Sequence, residues 1–246
     1  MNADIFIRTY YKDLQWLQYS LRSIEKYTAG FRKTILVVPR SSAERLRWAG
    51  LDRHAETHIC EDFADDYLGQ QITKLHADRY SDADLICHVD SDCLFRRRTA
   101  PKDFFSNGKI VVPMVSYRAF PQERGWQKLA EKFMCCQVEY DFMRRQPFLF
   151  PRWLYGAMRD HAQHLHNQSL YDYVISQPPG GFSEYNALGA FAYYFHCDEF
   201  VWSERTTWIP DESICRWFRS WGGIAQSDQE EIDGILGQHS VDWDFC

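Results

Sequence analysis

Apolar runs in the first half of the chain are separated by amphipathic stretches, which is the pattern of strands alternating with helices. The runs are short and rich in β-branched residues. They predict four strands, over residues 4–9, 34–39, 57–60 and 84–89. The second run, TILVVP, is apolar on both faces, as strands of a covered parallel sheet are.

Helices are predicted between these strands. Apolar residues from Leu14 to Ile24 recur at intervals of three and four, which is the spacing of one helix face. Ser41 and Glu44 form an S-x-x-E signature, which predicts a capped helix start. A further helix is predicted over residues 70–80. Strands that alternate with helices imply βαβ units and a mainly parallel sheet, so the predicted fold class is α/β.

The second half of the chain is less regular and richer in aromatic residues. The elements predicted there are a strand over 109–115, helices over 126–142 and from Ser183 onward, and a short final helix near 232–236. We see no internal repeat and no low-complexity linker. We therefore expect a single domain over 1–246, with a change of role near residue 108.

Composition narrows the function classes. The 246 residues include 28 basic and 34 acidic side chains, a formal net charge of −6, which argues against a protein devoted to nucleic acid. Hydrophobic residues at 45% and charged residues at 25% are typical of a globular protein. No apolar stretch approaches the roughly 20 residues of a membrane helix, so no transmembrane segment is expected. We expect a cytoplasmic chain with reduced cysteines, and leave attachment to a membrane face open.

Three D-x-D triplets occur, and their context separates them. Only Asp90-Ser91-Asp92 directly follows an apolar strand. This position predicts that the triplet lies at the carboxyl end of the strand, where open α/β sheets bind ligands. Two carboxylates there suit Mg²⁺ or Mn²⁺, completed by substrate phosphates. The alternative is an acidic turn whose carboxylates only cap backbone groups.

The segments DIFIRTYYKD, QQITKL and DLICHVDSDCLF, in this order, resemble the GT-A glycosyltransferases, and the later GGFSEYNALGAFAYYF resembles an acceptor-side segment of small bacterial and viral members. The resemblance implies a GT-A-like fold, with a donor nucleotide-binding half over about 1–108 and an acceptor half with the C-terminal tail over about 109–246. It also implies a nucleoside-diphosphate sugar donor, with UDP-sugars favoured, held through Mn²⁺ or Mg²⁺. It implies that Asp90 approaches the ribose and the metal ion, and that Asp92 ligates the metal ion. Thr9 and Tyr10 would line the nucleotide pocket, with Ser91 beside the donor.

The same resemblance suggests His239, near the end of the chain, as a further metal ligand. A histidine there is also typical of a plain surface residue, and the neighbouring Asp242 and Asp244 could serve instead. Lys74 and Arg8 are candidates for contact with a diphosphate or a donor hydroxyl. An ordinary exposed position is the alternative for Lys74.

Glu184 is the candidate general base, because it lies at a helix start that follows the flexible QPPGG segment. Its alternative is a first-turn glutamate that stabilises the helix N-terminus. Asp211, with Glu212 beside it, is the reserve candidate. An enzyme that retains configuration would need no such base, and Glu184 would then orient the acceptor.

The resemblance therefore implies a glycosyltransferase. It would move a hexosyl or pentosyl group to the hydroxyl of a carbohydrate or another acceptor, such as a protein, a glycolipid or a modified nucleobase, in a bacterial or viral glycan pathway. Two other classes stay open. One is a non-catalytic carbohydrate-binding or scaffold protein with the same fold. The other is a Mg²⁺-dependent phosphohydrolase of the haloacid-dehalogenase type, which places its D-x-D on the first strand, whereas three β/α units precede it here.

Overall fold

The computed structural model describes residues 1–119, 124–143, 146–204, 214–218 and 220–237. The helices are α1 (Leu14–Tyr27), α2 (Arg40–Trp48), α3 (Asp66–Leu75), α4 (Arg124–Met134), α5 (Trp153–His166), α6 (Leu170–Ile175), α7 (Glu184–Phe195) and α8 (Gln226–Leu236). The strands are β1 (Ala3–Arg8), β2 (Thr34–Pro39), β3 (Glu56–Cys60), β4 (Leu85–His88), β5 (Cys93–Phe95), β6 (Phe105–Ser106), β7 (Lys109–Ser116), β8 (Tyr140–Asp141), β9 (Phe148–Pro151), β10 (Phe200–Glu204) and β11 (Cys215–Trp217).

A five-stranded sheet forms the centre of the first half. Its strand order is β3-β2-β1-β4-β9. The first four strands are parallel, and β9 closes one edge in antiparallel orientation. All six residues of β1 are buried, as expected for a strand covered on both faces. The prediction of an α/β protein with a mainly parallel central sheet is confirmed.

The second half forms a smaller sheet around β7, which pairs with β10 in parallel and with β6 and β8 in antiparallel orientation. The large hydrophobic core includes residues from both halves, such as Ile7 and Leu36 of the first and Phe142 and Leu188 of the second. A smaller cluster joins α1, β5 and α8 through Trp16, Leu94, Phe218, Ile232 and Ile235.

Several predicted boundaries are wrong. The Ser41–Glu44 signature does not cap a helix, because α2 begins at Arg40 and the Ser41 hydroxyl donates to Asp62 Oδ1 over 2.6 Å. The helix predicted over 126–142 ends at Met134, since Cys135 adopts a positive φ of 50° and the chain then enters β8.

The helix predicted over 70–80 begins four residues earlier. Asp65 caps it by accepting the amide of Tyr67 at 2.9 Å. A 3-10 turn, Ala77–Arg79, replaces its last residues. None of the described helices is long and apolar enough to cross a membrane, and the seven cysteines that the structure describes are free thiols.

The packing of α7 against Phe142, the residue after β8, yields the first prediction. A Cβ atom at Gly189 would lie 2.4 Å from Phe142 Cβ, whereas one at Gly234 in α8 would meet nothing within 4 Å. We expect Gly189→Ala to lower the free energy of unfolding by about 1–3 kcal/mol through overpacking. Gly234→Ala should raise it by about 0.5–1 kcal/mol, because alanine favours a helix. Urea unfolding of both variants checks this, and a neutral Gly189→Ala would contradict the close approach of α7 to Phe142.

Candidate active site

Several of the predicted site residues lie at the ends of two neighbouring strands, β1 and β4. β1 pairs with β2 on one side and with β4 on the other, so the strand order reverses beside β1. Because β1 and β4 are parallel, Arg8 to Tyr10 and Val89 to Asp92 lie at the same edge of the sheet. This edge, at the carboxyl ends of strands where the order reverses, is the usual ligand site of open α/β sheets.

Asp90 is held from the antiparallel edge strand. His88 of β4 pairs with Phe148 of β9, so two residues further along the same register Gln146 lies opposite Asp90. The Asp90 amide donates to Gln146 Oε1 over 2.6 Å, and the Gln146 side-chain amide donates back to Asp90 Oδ2. Gln146 therefore fixes both the backbone and the carboxylate of the motif. Sequence analysis missed it, because a glutamine before a short apolar run carries no recognisable signal.

Lys74 lies in the last turn of α3 and is buried, with 5% of its side chain exposed. Its Nζ is 2.7 Å from Asp90 Oδ1 and 2.9 Å from Glu184 Oε1. Burial by itself would lower the pKa of this ammonium, but the charges of Asp90 and Glu184 outweigh that effect and hold the pKa above its usual value. Lys74 is therefore a charged bridge between two carboxylates and not an exposed helix residue.

Glu184 is the first residue of α7, and Ser183, where the helix start was predicted, is the residue that precedes it. The turn before it is fixed by Asn186, which donates to Ser183 Oγ at 3.2 Å and accepts the Phe142 amide at 2.8 Å. The side chain is 9% exposed. Lys74 bonds Oε1, and no described residue bonds Oε2. The Glu184 carboxylate of the second half is thus linked through Lys74 to the D-x-D motif of the first half.

Asp92 is buried beside the segment that follows β11. Its Oδ2 accepts the Ser220 amide at 3.2 Å, and its carbonyl accepts the Phe218 amide at 2.8 Å. Burial, the negative charge of Asp90 and that of Asp13 raise the pKa of Asp92 to about 7, against the effect of the Ser220 bonds. A positive charge near Asp92 would stabilise the ionised form of this carboxylate.

Asp13 is a third carboxylate of the site, and sequence analysis did not single it out. It ends the 3-10 turn Tyr11–Asp13 that follows β1. Burial and the charge of Asp90 raise its pKa to about 6, although Arg8 acts in the opposite direction. Acidic groups with raised pKa values are typical of functional sites. Its place in the turn after the first strand is a weak sequence signal, because the burial of that turn is set by other elements of the fold.

A cavity of about 420 Å³ opens beside Asp13. Its lining includes Tyr10, Trp16, Ser220 and Trp221. Ser220 lines this cavity and its amide bonds Asp92, so the D-x-D motif lies behind the cavity wall, although neither aspartate of the motif lines it. Two of its aromatic rings belong to the first half and one to the segment after β11.

The other predicted donor-binding residues lie at the same edge. The Arg8 guanidinium is bound to Asp66, with Nη1 at 2.8 Å from Oδ2. Thr9 is buried, and its hydroxyl has no hydrogen-bond partner among the described residues. Ser91 is buried in the turn between the two aspartates, which the Cys93 amide closes by donating to Asp90 O at 3.0 Å.

The first D-x-D triplet has a structural role. Asp82 pairs with Arg32, and Asp84 Oδ2 accepts the Asn2 amide at 2.9 Å. The remaining candidates lie outside the described residues, namely Asp211, Glu212, His239, Asp242 and Asp244.

In type, the acidic side chains of this edge match the oxygen ligands of a divalent cation such as Mg²⁺ or Mn²⁺. The site contributes carboxylates from Asp13, Asp90, Asp92 and Glu184, which are hard oxygen ligands. Lys74 is the cation that Asp90 and Glu184 share, whereas Arg8 is engaged by Asp66. Within the described ranges, however, no group of three or more histidine, cysteine or acidic side chains is placed so that it could hold a metal ion. Substrate phosphates would therefore have to complete the coordination.

Comparison with known proteins gives no family assignment. No model of a protein family matches the sequence, and no curated protein matches it.

The raised pKa of Asp92 makes the stability of the metal-free protein depend on pH. The folded chain holds the Asp92 proton with a pKa of about 7, against an ordinary value of 3.8. Between these values the folded state binds more protons than the unfolded state, so its stability falls as pH rises through this window. We expect Asp92→Asn to become increasingly stable relative to the parent as pH rises from about 4 to 7. Urea unfolding in EDTA measures this, and a pH-independent difference would refute the assignment.

Proposed function

We propose that the chain is a metal-dependent glycosyltransferase of the GT-A type. It would transfer a hexosyl or pentosyl group from a nucleoside-diphosphate sugar, with UDP-sugars favoured, to an acceptor hydroxyl. The observation that carries the proposal is the Lys74 bridge, which joins Asp90 of the D-x-D motif to Glu184 at the carboxyl edge of the parallel sheet.

The negative charge of the site supports binding of the donor through a metal ion. The site is rich in carboxylates, and a nucleoside diphosphate is itself an anion, so the two repel each other without a counter-ion. Asp92, with Asp90 nearby, would hold Mn²⁺ or Mg²⁺. When bound, the ion would offset the charge that grows on the diphosphate as a Lewis acid. Lys74 would hold Asp90 in place for this role.

The cavity supports a place for the nucleotide. Tyr10 and Trp221 offer rings, and Asp13 offers a carboxylate for hydroxyl groups. Ser220 ties the wall of this cavity to Asp92. The base and ribose would therefore lie beside the turn after β1, while the diphosphate would extend toward the D-x-D motif.

Glu184 would act on the acceptor side. In transfer, the acceptor oxygen forms a bond to the anomeric carbon, and the bond from that carbon to the diphosphate oxygen breaks. The acceptor proton would pass to Glu184 Oε2, since Lys74 occupies Oε1. With retention of configuration, Glu184 would instead orient a sugar hydroxyl.

A phosphohydrolase is the weaker candidate. The haloacid-dehalogenase type places its D-x-D after the first strand, whereas the motif here follows β4. A non-catalytic sugar-binding protein differs from the proposal in turnover, so the experiments below separate the two.

The role of Asp92 is tested by nucleotide binding. We expect Asp92→Asn to abolish the Mn²⁺-dependent part of UDP binding, because the amide loses the negative charge that holds the ion. Calorimetric titration with UDP, with MnCl₂ or with EDTA, measures this effect.

Asp82→Asn is the matched control, because Asp82 belongs to a D-x-D triplet that pairs with Arg32. It should bind UDP like the parent. Unchanged affinity in Asp92→Asn would remove Asp92 from the metal site.

The role of Glu184 is tested by the rate of transfer. Glu184→Gln keeps the shape of the side chain but cannot accept the proton, so we expect a loss of about 10²- to 10⁴-fold in transfer. Donor affinity should stay within a few fold, and the acidic limb of the pH profile should disappear. Transfer near the parental rate would exclude Glu184 as the base.

A further inference from the structure

Tyr185 follows Glu184 in the chain, and its ring is buried beside Lys74. Its exposure is 3%, and it stacks on Phe148 with ring centroids 4.2 Å apart and planes inclined by 26°. The edge of His88 lies against it, at 5.7 Å and 73°. Phe148 and His88 are register partners of β9 and β4. The central sheet therefore provides a fixed platform for this ring.

The Lys74 ammonium lies over the Tyr185 ring, with Nζ 4.9 Å from its centroid. This is the distance of a cation–π contact, which is strongest when the ammonium is removed from water, as it is here. The Tyr185 hydroxyl is buried and has no hydrogen-bond partner among the described residues. The ring face, and not the hydroxyl, is thus the part of Tyr185 that acts on Lys74.

We propose that Tyr185 is a positioning residue that holds the Lys74 ammonium at the point from which it contacts Asp90 and Glu184 together. A lysine side chain has a long flexible stem and a compact charge, so two carboxylates alone do not fix its path. The Tyr185 ring supplies a third contact to the Lys74 ammonium. The catalytic consequence rests on the proposed function, whereas the geometric consequence does not.

The activity test changes the electronic character of the ring but keeps its shape. Phenylalanine, 3,5-difluorophenylalanine and 3,4,5-trifluorophenylalanine at position 185 weaken the cation–π contact in steps. We expect Tyr185→Phe to retain the parental kcat, and kcat to fall along the series to about 3- to 30-fold below it, with donor KM nearly constant. The substrates are UDP-, GDP- and dTDP-glucose with MnCl₂, measured as hydrolysis or transfer.

The same series at Tyr173 is the matched control. That ring is buried among Phe133, His166 and Phe182. Fluorination there should leave kcat unchanged. A fall of equal size at both positions, or no fall at position 185, would overturn the positioning role.

Crystal structures of Tyr185→Phe and Tyr185→Leu test the geometry without any activity. In Tyr185→Phe, Lys74 Nζ should keep contact with both carboxylates. In Tyr185→Leu it should leave at least one of them, and a lysine that stays in contact with both would refute the proposal. If the parent shows no turnover with any nucleotide sugar, the glycosyltransferase assignment fails, while these structures still decide the role of Tyr185. The fluorinated chains replace Tyr185→Leu in the crystals if that variant does not fold.

Discussion

One buried ammonium, Lys74, joins the two halves of the site. It comes from α3 in the first half and contacts Asp90 after β4 and Glu184 at the start of α7. Removing one partner of a buried ion pair typically costs about 3–5 kcal/mol, because the remaining charge stays buried without compensation. The end of α3, the D-x-D turn and the start of α7 are therefore constrained to meet at one point.

The central sheet holds the groups around Lys74 in fixed positions. The antiparallel register of β4 and β9 places Gln146 opposite Asp90 and Phe148 opposite His88. Gln146 fixes the Asp90 carboxylate. Phe148 fixes the Tyr185 ring, which contacts the Lys74 ammonium. Sites supported by strands and helices are held more closely than sites on loops alone. The acidic groups are thus kept near one another despite their mutual repulsion.

Sequence analysis predicted the parallel core of the fold because its signals are local. TILVVP is apolar on both faces and forms β2 over the predicted residues. The position of the D-x-D motif after an apolar strand was also predictable, and Asp90 and Asp92 lie where the strand pattern placed them. The resemblance to GT-A enzymes remains an interpretation of these segments, and the roles of Thr9, Tyr10 and Ser91 remain predictions.

The contacts between distant segments could not be predicted. Lys74 and Glu184 are 110 residues apart, and nothing in either segment specifies the other. Gln146 depends on the register of an edge strand that begins after it, and Asp13 depends on a turn whose burial is set by other elements. The strand β8 replaced the end of a predicted helix because tertiary pairing with β7 outweighs local apolar spacing.

The central claim is that this acidic edge binds a nucleotide sugar through a divalent cation. Thermal unfolding of the parent chain with UDP-, GDP-, CMP- and dTDP-sugars, each with Mn²⁺ and with EDTA, tests it most directly, because a ligand that binds the folded state stabilises it by about 2.7 kcal/mol at 100 times its Kd. The account predicts that at least one sugar nucleotide raises the unfolding temperature with Mn²⁺ and fails to do so in EDTA. Equal shifts with and without the metal ion, or no shift with any sugar nucleotide, would contradict it.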